Sequence, residues 1–215
     1  IVNLIKTKAK SNKKEISQEE AEKLLKENHE LNQKHLDHDQ KSSKEKKADA
    51  IVTIPIHKKT LYDYGFTYPG QTEFLASLAG IQSPPIMMLA ADNLRVVPVT
   101  IHQSLKDAID SLDTKSIIKA CQITTASLIK DFGITKPRIA VAGLNPHAGD
   151  GGYIGKEEQD IIYPVIESLN KNGLNIIGPV SADTAFVEKN TDIKADAFLA
   201  MFHDQGLPVI KTMSF

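Results

Sequence analysis

The chain has 215 residues, of which 41% are apolar and 25% are charged, and its formal net charge is −1. These values are ordinary for one large or two small globular domains with a substantial core, and the balanced charge gives no electrostatic case for binding nucleic acid or an anionic membrane. No apolar run approaches the roughly 20 residues of a membrane-spanning helix, and the single cysteine, Cys121, cannot form an internal disulfide, so we expect a cytoplasmic protein.

The first 47 residues differ from the rest of the chain in being highly polar. Ser17 and Glu20 form a capping-box pattern, which predicts the start of a polar helix. The charged run at residues 38–47 indicates a solvated linker. We therefore expect residues 1–47 to be a polar helical segment with a charged linker, and residues 48–215 to form an α/β region.

From residue 48 onward, apolar runs typical of strands alternate with segments of helical periodicity. The predicted strands are residues 50–56, 86–90, 96–101, 139–144, 175–177, 197–201 and 207–210. The predicted helices have apolar residues at helical spacing around residues 105–112, 117–132 and 161–169. Pro164 lies inside the last of these, where we expect it to kink the helix. The alternation predicts an α/β sandwich with a largely parallel sheet.

Three histidines follow directly on predicted strands. His102, His147 and His203 each lie just beyond an apolar run, and His147 belongs to a turn rich in glycine and proline at residues 143–152. Ligands of α/β proteins bind at the carboxyl ends of the strands, and neutral imidazole is a common ligand of zinc and other transition metals. The three histidines are therefore candidate ligands of one metal ion. Capping of a strand or hydrogen bonding within a turn is the alternative, and this reasoning leaves both open.

Acidic and basic side chains accompany these histidines. Asp204 follows the third histidine directly, and Asp183 lies in a loop after Gly178 and Pro179. Either carboxylate could orient an imidazole or hold a substrate amine, while capping of a turn is the competing role for Asp183. Lys211 follows the last predicted strand, where a cation could bind a phosphate. The glycines after residue 148 do not form the Gly-x-Gly-x-x-Gly pattern, so a standard Rossmann nucleotide site is not supported.

Seven blocks of the sequence match one known enzyme family in its own order. They are residues 53–58, 68–74, 87–90, 100–102, 143–155, 178–184 and 200–208. The most specific are Asn-Pro-His-Ala-Gly and His-Asp-Gln-Gly-Leu-Pro. By these blocks the chain resembles the 4-hydroxythreonine-4-phosphate dehydrogenase family of vitamin B6 biosynthesis. The resemblance implies an isocitrate dehydrogenase-like α/β/α sandwich and a homodimer with the active site at the subunit interface.

The resemblance also assigns roles to individual residues. It implies that the metal ligands, contributed by both subunits, are His102, His147 and His203. Gln71, Thr72 and Lys211 match substrate-binding positions, with Lys211 near the substrate phosphate. Asp183 matches an acidic residue on the substrate side, and Asp183 and Asp204 are the candidate catalytic groups. Gln71 stands where the family usually has histidine, so it keeps hydrogen-bonding ability but lacks a titratable nitrogen.

The implied reaction is an oxidation of 4-phosphooxy-L-threonine by NAD or NADP, assisted by a divalent zinc, magnesium or cobalt ion. Its product is a 2-amino-3-oxo acid that decarboxylates to 3-amino-2-oxopropyl phosphate. The family chain extends beyond both ends of this sequence, and we expect much of the cofactor site to lie beyond residue 215. Two alternatives stay open: a dehydrogenase of threonate or erythronate 4-phosphate, which Gln71 favours, and a truncated non-catalytic subunit that binds metal and a phosphorylated metabolite.

Overall fold

The computed structural model describes residues 62–63, 65–68, 70–81, 85–91, 94–187 and 193–214. The chain divides into two compact units, which comprise essentially residues 3–85 and residues 86–215. The polar segment at residues 1–47 and the predicted strand at residues 50–56 lie outside the described residues, so both stay predictions. No helix in the described parts of the chain is long and apolar enough to span a membrane.

In the first unit, helix α1 spans Gln71–Leu78 and follows the extended residue Gly70. The ring of Phe74 is buried on the inner face of this helix. It meets the rings of Phe66 and Tyr68 at centroid distances of 5.6 and 5.2 Å, in edge-to-face geometry. Such aromatic pairs add attraction beyond the apolar area that they bury. The cluster therefore holds α1 against the turn that precedes it.

The described residues of the second unit form a five-stranded sheet in which β5 is the central strand. The strands are β1 (Leu89–Ala91), β2 (Leu94–Pro98), β3 (Arg138–Ala142), β4 (Asn175–Val180) and β5 (Ala197–Ala200). Their order across the sheet is β1-β2-β5-β3-β4. Only β1 runs antiparallel to its neighbour, and the other neighbouring pairs are parallel. The parallel strands therefore end at one common edge.

Alternate side chains of the sheet contribute to two separate hydrophobic cores. Val97 of β2 and Leu199 of β5 belong to the larger core, whereas their neighbours Val96 and Ala200 belong to the smaller one. Successive side chains of a strand point to opposite faces, so the sheet is covered on both sides. Burial of both faces explains why these strands are continuous apolar runs without polar alternation.

Helices cover the two faces of the sheet. They are α2 (Leu105–Asp110), α3 (Thr114–Lys130), α4 (Tyr163–Lys171) and α5 (His203–Ser214). The larger core contains buried residues of α3 and α4, such as Ile117 and Leu169, and the smaller core contains Ile210 of α5. The caps follow from sequence, because Ser104 accepts the N–H of Asp107 to begin α2. The predicted α/β sandwich with a largely parallel sheet is confirmed.

The predicted strand at residues 207–210 is wrong. These residues lie inside helix α5, where Leu207 and Ile210 are buried and Pro208 is exposed. A run of four apolar residues does not distinguish a strand from the buried side of a helix. The same correction applies to Lys211, which is exposed in the last turn of α5 and does not follow a strand.

Two helix predictions need refinement. The segment at residues 161–169 is not one kinked α-helix, because a π-helical turn, Glu158–Ile162, precedes α4 and places Pro164 in the first turn of α4. Proline is tolerated there because the first-turn N–H groups have no helical partner. In the segment at residues 105–112, only Ala108 and Leu112 are buried, whereas Leu105 is 58% exposed.

The thiol of Cys121 is expected to be unreactive in the folded protein. Cys121 is fully buried in α3, and this burial raises the pKa of its thiol to about 12. The thiolate is the reactive form, so at pH 8 the folded protein presents only about one part in 10⁴ of it. A colourimetric thiol reagent should therefore react slowly with the native chain and within seconds in denaturant. Equal rates in both conditions would contradict the burial of Cys121.

Candidate active site at the carboxyl edge of the sheet

The predicted site residues follow four neighbouring parallel strands at the edge where these strands end. Across the sheet, the strand order is β2, β5, β3 and β4. The residues that follow these strands are, in the same order, His102, His203, His147 and Asp183. Adjacent strands lie about 4.8 Å apart, so the fold gathers four loops of widely separated sequence at one edge. This edge is where open α/β sheets bind ligands.

The loop after β3 has an unusual backbone conformation. Six consecutive residues, His147 to Gly152, have positive φ angles between 42° and 96°. His102 also has a positive φ of 52°. For residues other than glycine this left-handed region costs roughly 1–2 kcal/mol each, and such residues concentrate at functional sites. Both histidines are exposed, so their imidazoles are accessible to a ligand.

A buried glutamate anchors this loop from below. Glu158 is 1% exposed. Its Oε1 accepts the backbone N–H of Asn145 at 2.7 Å, and its Oε2 accepts the side-chain Nδ2 of Asn145 at 2.9 Å. The partly buried neighbour Glu157 also accepts Asn145 Nδ2, at 2.7 Å, and this hydrogen bond lowers the pKa of Glu157. Asn145 is thus held by two carboxylates, two residues before His147.

A glutamine side chain ties the ends of β5 and β3 together. Gln205 Oε1 accepts the backbone N–H of Met201 at 2.7 Å, and Gln205 Nε2 donates to the carbonyl oxygen of Gly143 at 2.6 Å. The buried hydroxyl of Thr100 donates to the carbonyl oxygen of Met201 at 2.8 Å, which adds the end of β2 to the network. These hydrogen bonds link the start of the loops that carry the three histidines.

Two of the three imidazoles have a carboxylate beside Nδ1. His203 Nδ1 lies 2.6 Å from Asp204 Oδ1, and His147 Nδ1 lies 3.7 Å from Asp183 Oδ2. A carboxylate only accepts hydrogen bonds, so the hydrogen bond at His203 favours a proton on Nδ1 and leaves Nε2 with its lone pair, whereas the longer separation at His147 is an electrostatic contact beyond hydrogen-bond distance. The pKa of Asp183 is lowered mainly by the hydroxyl of Ser181, which donates to Oδ1 at 2.5 Å, and secondarily by the nearby His147.

Replacement of Ser181 by alanine is expected to raise the pKa of Asp183 toward its usual range. The lowered pKa means that the ionised form gains the hydrogen bond in the folded protein, and this gain is present above the ordinary aspartate pKa and is lost as the pH falls through the lowered value. Carbon-detected NMR titration of the side-chain carboxyl measures the change. Asp113 serves as the control, because its low pKa depends on Ser116 and should not move. An unchanged Asp183 titration would contradict the assigned cause.

The structure contains one chain, in which His147 lies beside Asp183 and His203 lies beside Asp204. In the described parts of this chain, no group of three or more His, Cys, Asp or Glu side chains is arranged to hold a metal ion. The three-histidine ligand set, which was predicted to draw on both subunits, therefore stays a prediction. Gln71 and Thr72 lie in the first turn of α1, in the other unit. Their predicted substrate contacts, and that of Lys211, also stay predictions.

Sequence reasoning missed the residues that position the loops. Glu158 received no role, although it is buried. Asn145 and Gln205 lie within the matching blocks but received no role. One signal was present: Glu158 falls at a helical spacing of four from Ile162 on the buried side of its helix, which is an unusual place for a charge.

Comparison with known proteins identifies the relatives of this chain. The family model described as "Pyridoxal phosphate biosynthetic protein PdxA" matches residues 2–215. The 4-hydroxythreonine-4-phosphate dehydrogenase of Roseobacter denitrificans is 51% identical over 169 residues, which are 78% of this chain and 52% of the relative. The enzyme of that name from Bradyrhizobium diazoefficiens is 48% identical over 79% of this chain and 50% of the relative. This chain thus spans about half the length of the curated relatives it matches.

Solved structures agree with this relationship. The crystal structure of 4-hydroxythreonine-4-phosphate dehydrogenase from Klebsiella pneumoniae matches with a TM-score of 0.76 and 34% identity, over 84% of this chain and 54% of that one. A terephthalate 1,2-cis-dihydrodiol dehydrogenase from Burkholderia xenovorans matches with a TM-score of 0.63 and 30% identity, over 85% of this chain and 57% of that one. The resemblance inferred from the sequence blocks is confirmed. The chain belongs to the PdxA family of pyridoxal phosphate biosynthetic proteins.

Proposed function

We propose that this chain supplies the metal- and substrate-binding part of a nicotinamide-linked dehydrogenase that oxidises 4-hydroxythreonine 4-phosphate, which is 4-phosphooxy-L-threonine. The names of its relatives support this substrate. The observation that carries the proposal is the gathering of His102, His147, His203 and Asp183 at the carboxyl edge of four neighbouring parallel strands. That edge is the usual ligand site of such sheets.

The donor set at this edge suits a divalent cation. His102, His147 and His203 would hold it through imidazole nitrogens, and the carboxylate of Asp204, hydrogen-bonded to Nδ1 of His203, leaves Nε2 of that ring available. A zinc, magnesium or cobalt ion held there would supply Lewis acidity toward a substrate hydroxyl, and NAD or NADP would supply the hydride acceptor. Three imidazoles favour zinc or cobalt over magnesium, which prefers oxygen ligands.

The chain's own side chains would orient the substrate and manage its protons. Asp183 is exposed and its pKa is low, so it presents a carboxylate that can pair with the substrate ammonium group. Asp204 holds Nδ1 of His203 and so fixes the orientation of that ring. Lys211 is an exposed cation that suits a phosphate. Gln71 and Thr72 offer an amide and a hydroxyl for further hydrogen bonds to the substrate.

The proposal includes a homodimer whose active sites draw ligands from both subunits. Mixing two inactive variants tests this arrangement. If two histidines of a site come from one subunit and the third from its partner, two of the three pairwise mixtures of His102→Ala, His147→Ala and His203→Ala contain heterodimers with one intact site. We expect those mixtures to regain metal binding and activity after subunit exchange. Failure of every mixture, with exchange demonstrated by mass spectrometry, would refute a shared site.

The reaction itself is tested by following reduction of the nicotinamide. Because this chain spans about half the length of its relatives, the assay uses the chain joined to the remaining family sequence, supplied with cobalt or zinc ions, 4-phosphooxy-L-threonine and either NAD or NADP. We expect formation of reduced cofactor that stops when a chelator removes the metal and resumes when metal is restored. Binding of metal without any binding of nicotinamide would instead support the non-catalytic alternative, a subunit that only binds metal and a phosphorylated metabolite.

A second candidate function is the oxidation of threonate or erythronate 4-phosphate. It is favoured by Gln71, because the family resemblance implies histidine at this position. The match to a terephthalate dihydrodiol dehydrogenase shows that a related chain of this fold carries a different substrate name. Comparison of kcat/KM for the phosphorylated amino acid and for the two phosphorylated sugar acids distinguishes the candidates. A higher value for a sugar acid would replace the first proposal.

A further inference from the structure

The carboxylate of Glu158 is buried beneath the loop that carries His147. Both of its oxygens are occupied by Asn145, through the backbone N–H at 2.7 Å and through Nδ2 at 2.9 Å. Burial of a carboxylate is unfavourable unless such donors replace its water. The loop backbone is therefore held where it supplies these donors, and Asn145 is fixed two residues before His147.

One glycine on each side of His147 packs on the same carboxylate. A Cβ atom at Gly149 would lie 2.5 Å from Glu158 Oε2, and one at Gly143 would lie 3.0 Å from Glu158 Oε1. Only residues without a side chain permit this approach. His147 thus lies between Asn145, which hydrogen bonds to Glu158, and Gly149, which packs against it. Both flanks of His147 are anchored on one buried group.

His147 itself needs such anchoring. Its φ of 52° and ψ of 30° place it in the left-handed region, which a residue with a side chain occupies only when its surroundings impose it. We propose that Glu158 is the positioning residue for His147, holding the loop in the conformation that presents the imidazole at the carboxyl edge of the sheet. The consequence for metal binding rests on the function proposed above, whereas the consequence for loop conformation does not.

Because Asn145 donates two hydrogen bonds to Glu158, substitution of Glu158 by glutamine tests this role directly. Asn145 directs two N–H donors at Glu158. A carboxylate accepts both, but the glutamine side chain has one acceptor oxygen and one donor NH₂ group. The nearly isosteric variant Glu158→Gln therefore satisfies only one donor and opposes the other with a second donor. Glu167→Gln is the matched control, because Glu167 is exposed on α4, where it pairs with Lys171 at 3.5 Å.

The experiment measures cobalt binding and amide hydrogen exchange on the same proteins. Cobalt(II) bound by imidazole is followed by its visible absorption. We expect Glu158→Gln to bind cobalt about tenfold more weakly than the unaltered chain, the lower end of what loss of an outer-shell contact costs a metal site. Exchange should accelerate at residues 145–155 and stay unchanged in α3. Glu167→Gln should match the unaltered chain in both measurements.

Gly149→Ala provides a second approach if Glu158→Gln does not fold. Its methyl group would collide with Glu158 Oε2, so it should produce the same local change in exchange and the same loss of cobalt affinity. Unchanged exchange at residues 145–155 in a folded variant would overturn the positioning role. Faster local exchange with undiminished cobalt binding would overturn its link to the metal. If the unaltered chain binds no cobalt, the proposed function fails, and the exchange result alone decides the role of Glu158.

Discussion

Replacement of His147 by alanine is expected to abolish metal binding and dehydrogenase activity together. The proposed site has three imidazole ligands, and loss of a direct ligand should cost more than the 10- to 100-fold in affinity that loss of an outer contact costs. Metal and activity should disappear in proportion, because Lewis acidity contributes several kcal/mol to the transition state, or roughly a thousandfold in rate. Metal content by mass spectrometry and nicotinamide reduction measure the two effects.

The fold should survive this change. The side chain of His147 is 67% exposed, so its removal leaves no cavity in the core. His147→Asn controls for the backbone, because asparagine tolerates the left-handed region better than alanine does but lacks the imidazole. Both variants should lose the metal and keep the thermal unfolding midpoint of the metal-free protein. Full metal stoichiometry in either folded variant would refute the assignment of His147 as a ligand.

Replacement of Leu199 by alanine is expected to produce a large loss of stability in the second unit. Leu199 is fully buried in β5, the central strand, and it packs in the larger core. Removal of a buried leucine side chain loses its transfer free energy and leaves a cavity between strand and helices. The expected cost is about 2–5 kcal/mol in the free energy of unfolding.

Leu105→Ala is the matched control for this change. Leu105 is 58% exposed at the start of α2, and exposed positions usually tolerate substitution within about 0.5 kcal/mol. Unfolding in urea, followed by circular dichroism, compares the two variants with the unaltered chain. Equal midpoints for Leu199→Ala and Leu105→Ala would contradict the central position of β5 in the core.

The spacing of apolar residues predicted most helices and strands of the second unit, because the burial of apolar side chains determines where these elements form. The helix around residues 117–132 and the strand around residues 139–144 correspond to α3 and β3, since their apolar spacing matches one buried helix side and one strand buried on both faces. The failure at residues 207–210 has the same origin, because a short apolar run fits either structure. Pro208 adds to the ambiguity, since proline is rare inside helices.

The position of the site could be predicted from the sequence, but the residues that hold its loops in place could not. Histidines after apolar runs point to the carboxyl edge of a parallel sheet, and the structure places all three there. The spacing of Glu158 from Ile162 indicates the buried side of a helix, but the contact of Glu158 with Asn145 depends on where a loop folds back over the helix start, which no local pattern encodes. The same holds for Gln205, whose partners Met201 and Gly143 belong to different strand ends.

The central claim is that one divalent cation is bound by three imidazoles contributed by two copies of this chain. A crystal structure of the zinc-loaded protein, with the ion located by its anomalous scattering, tests this most directly. We expect nitrogens of His102, His147 and His203 roughly 2.0–2.1 Å from one zinc ion, with at least one ring from the second copy. Zinc bound at other side chains, with these three rings directed into separate surroundings, would contradict the claim.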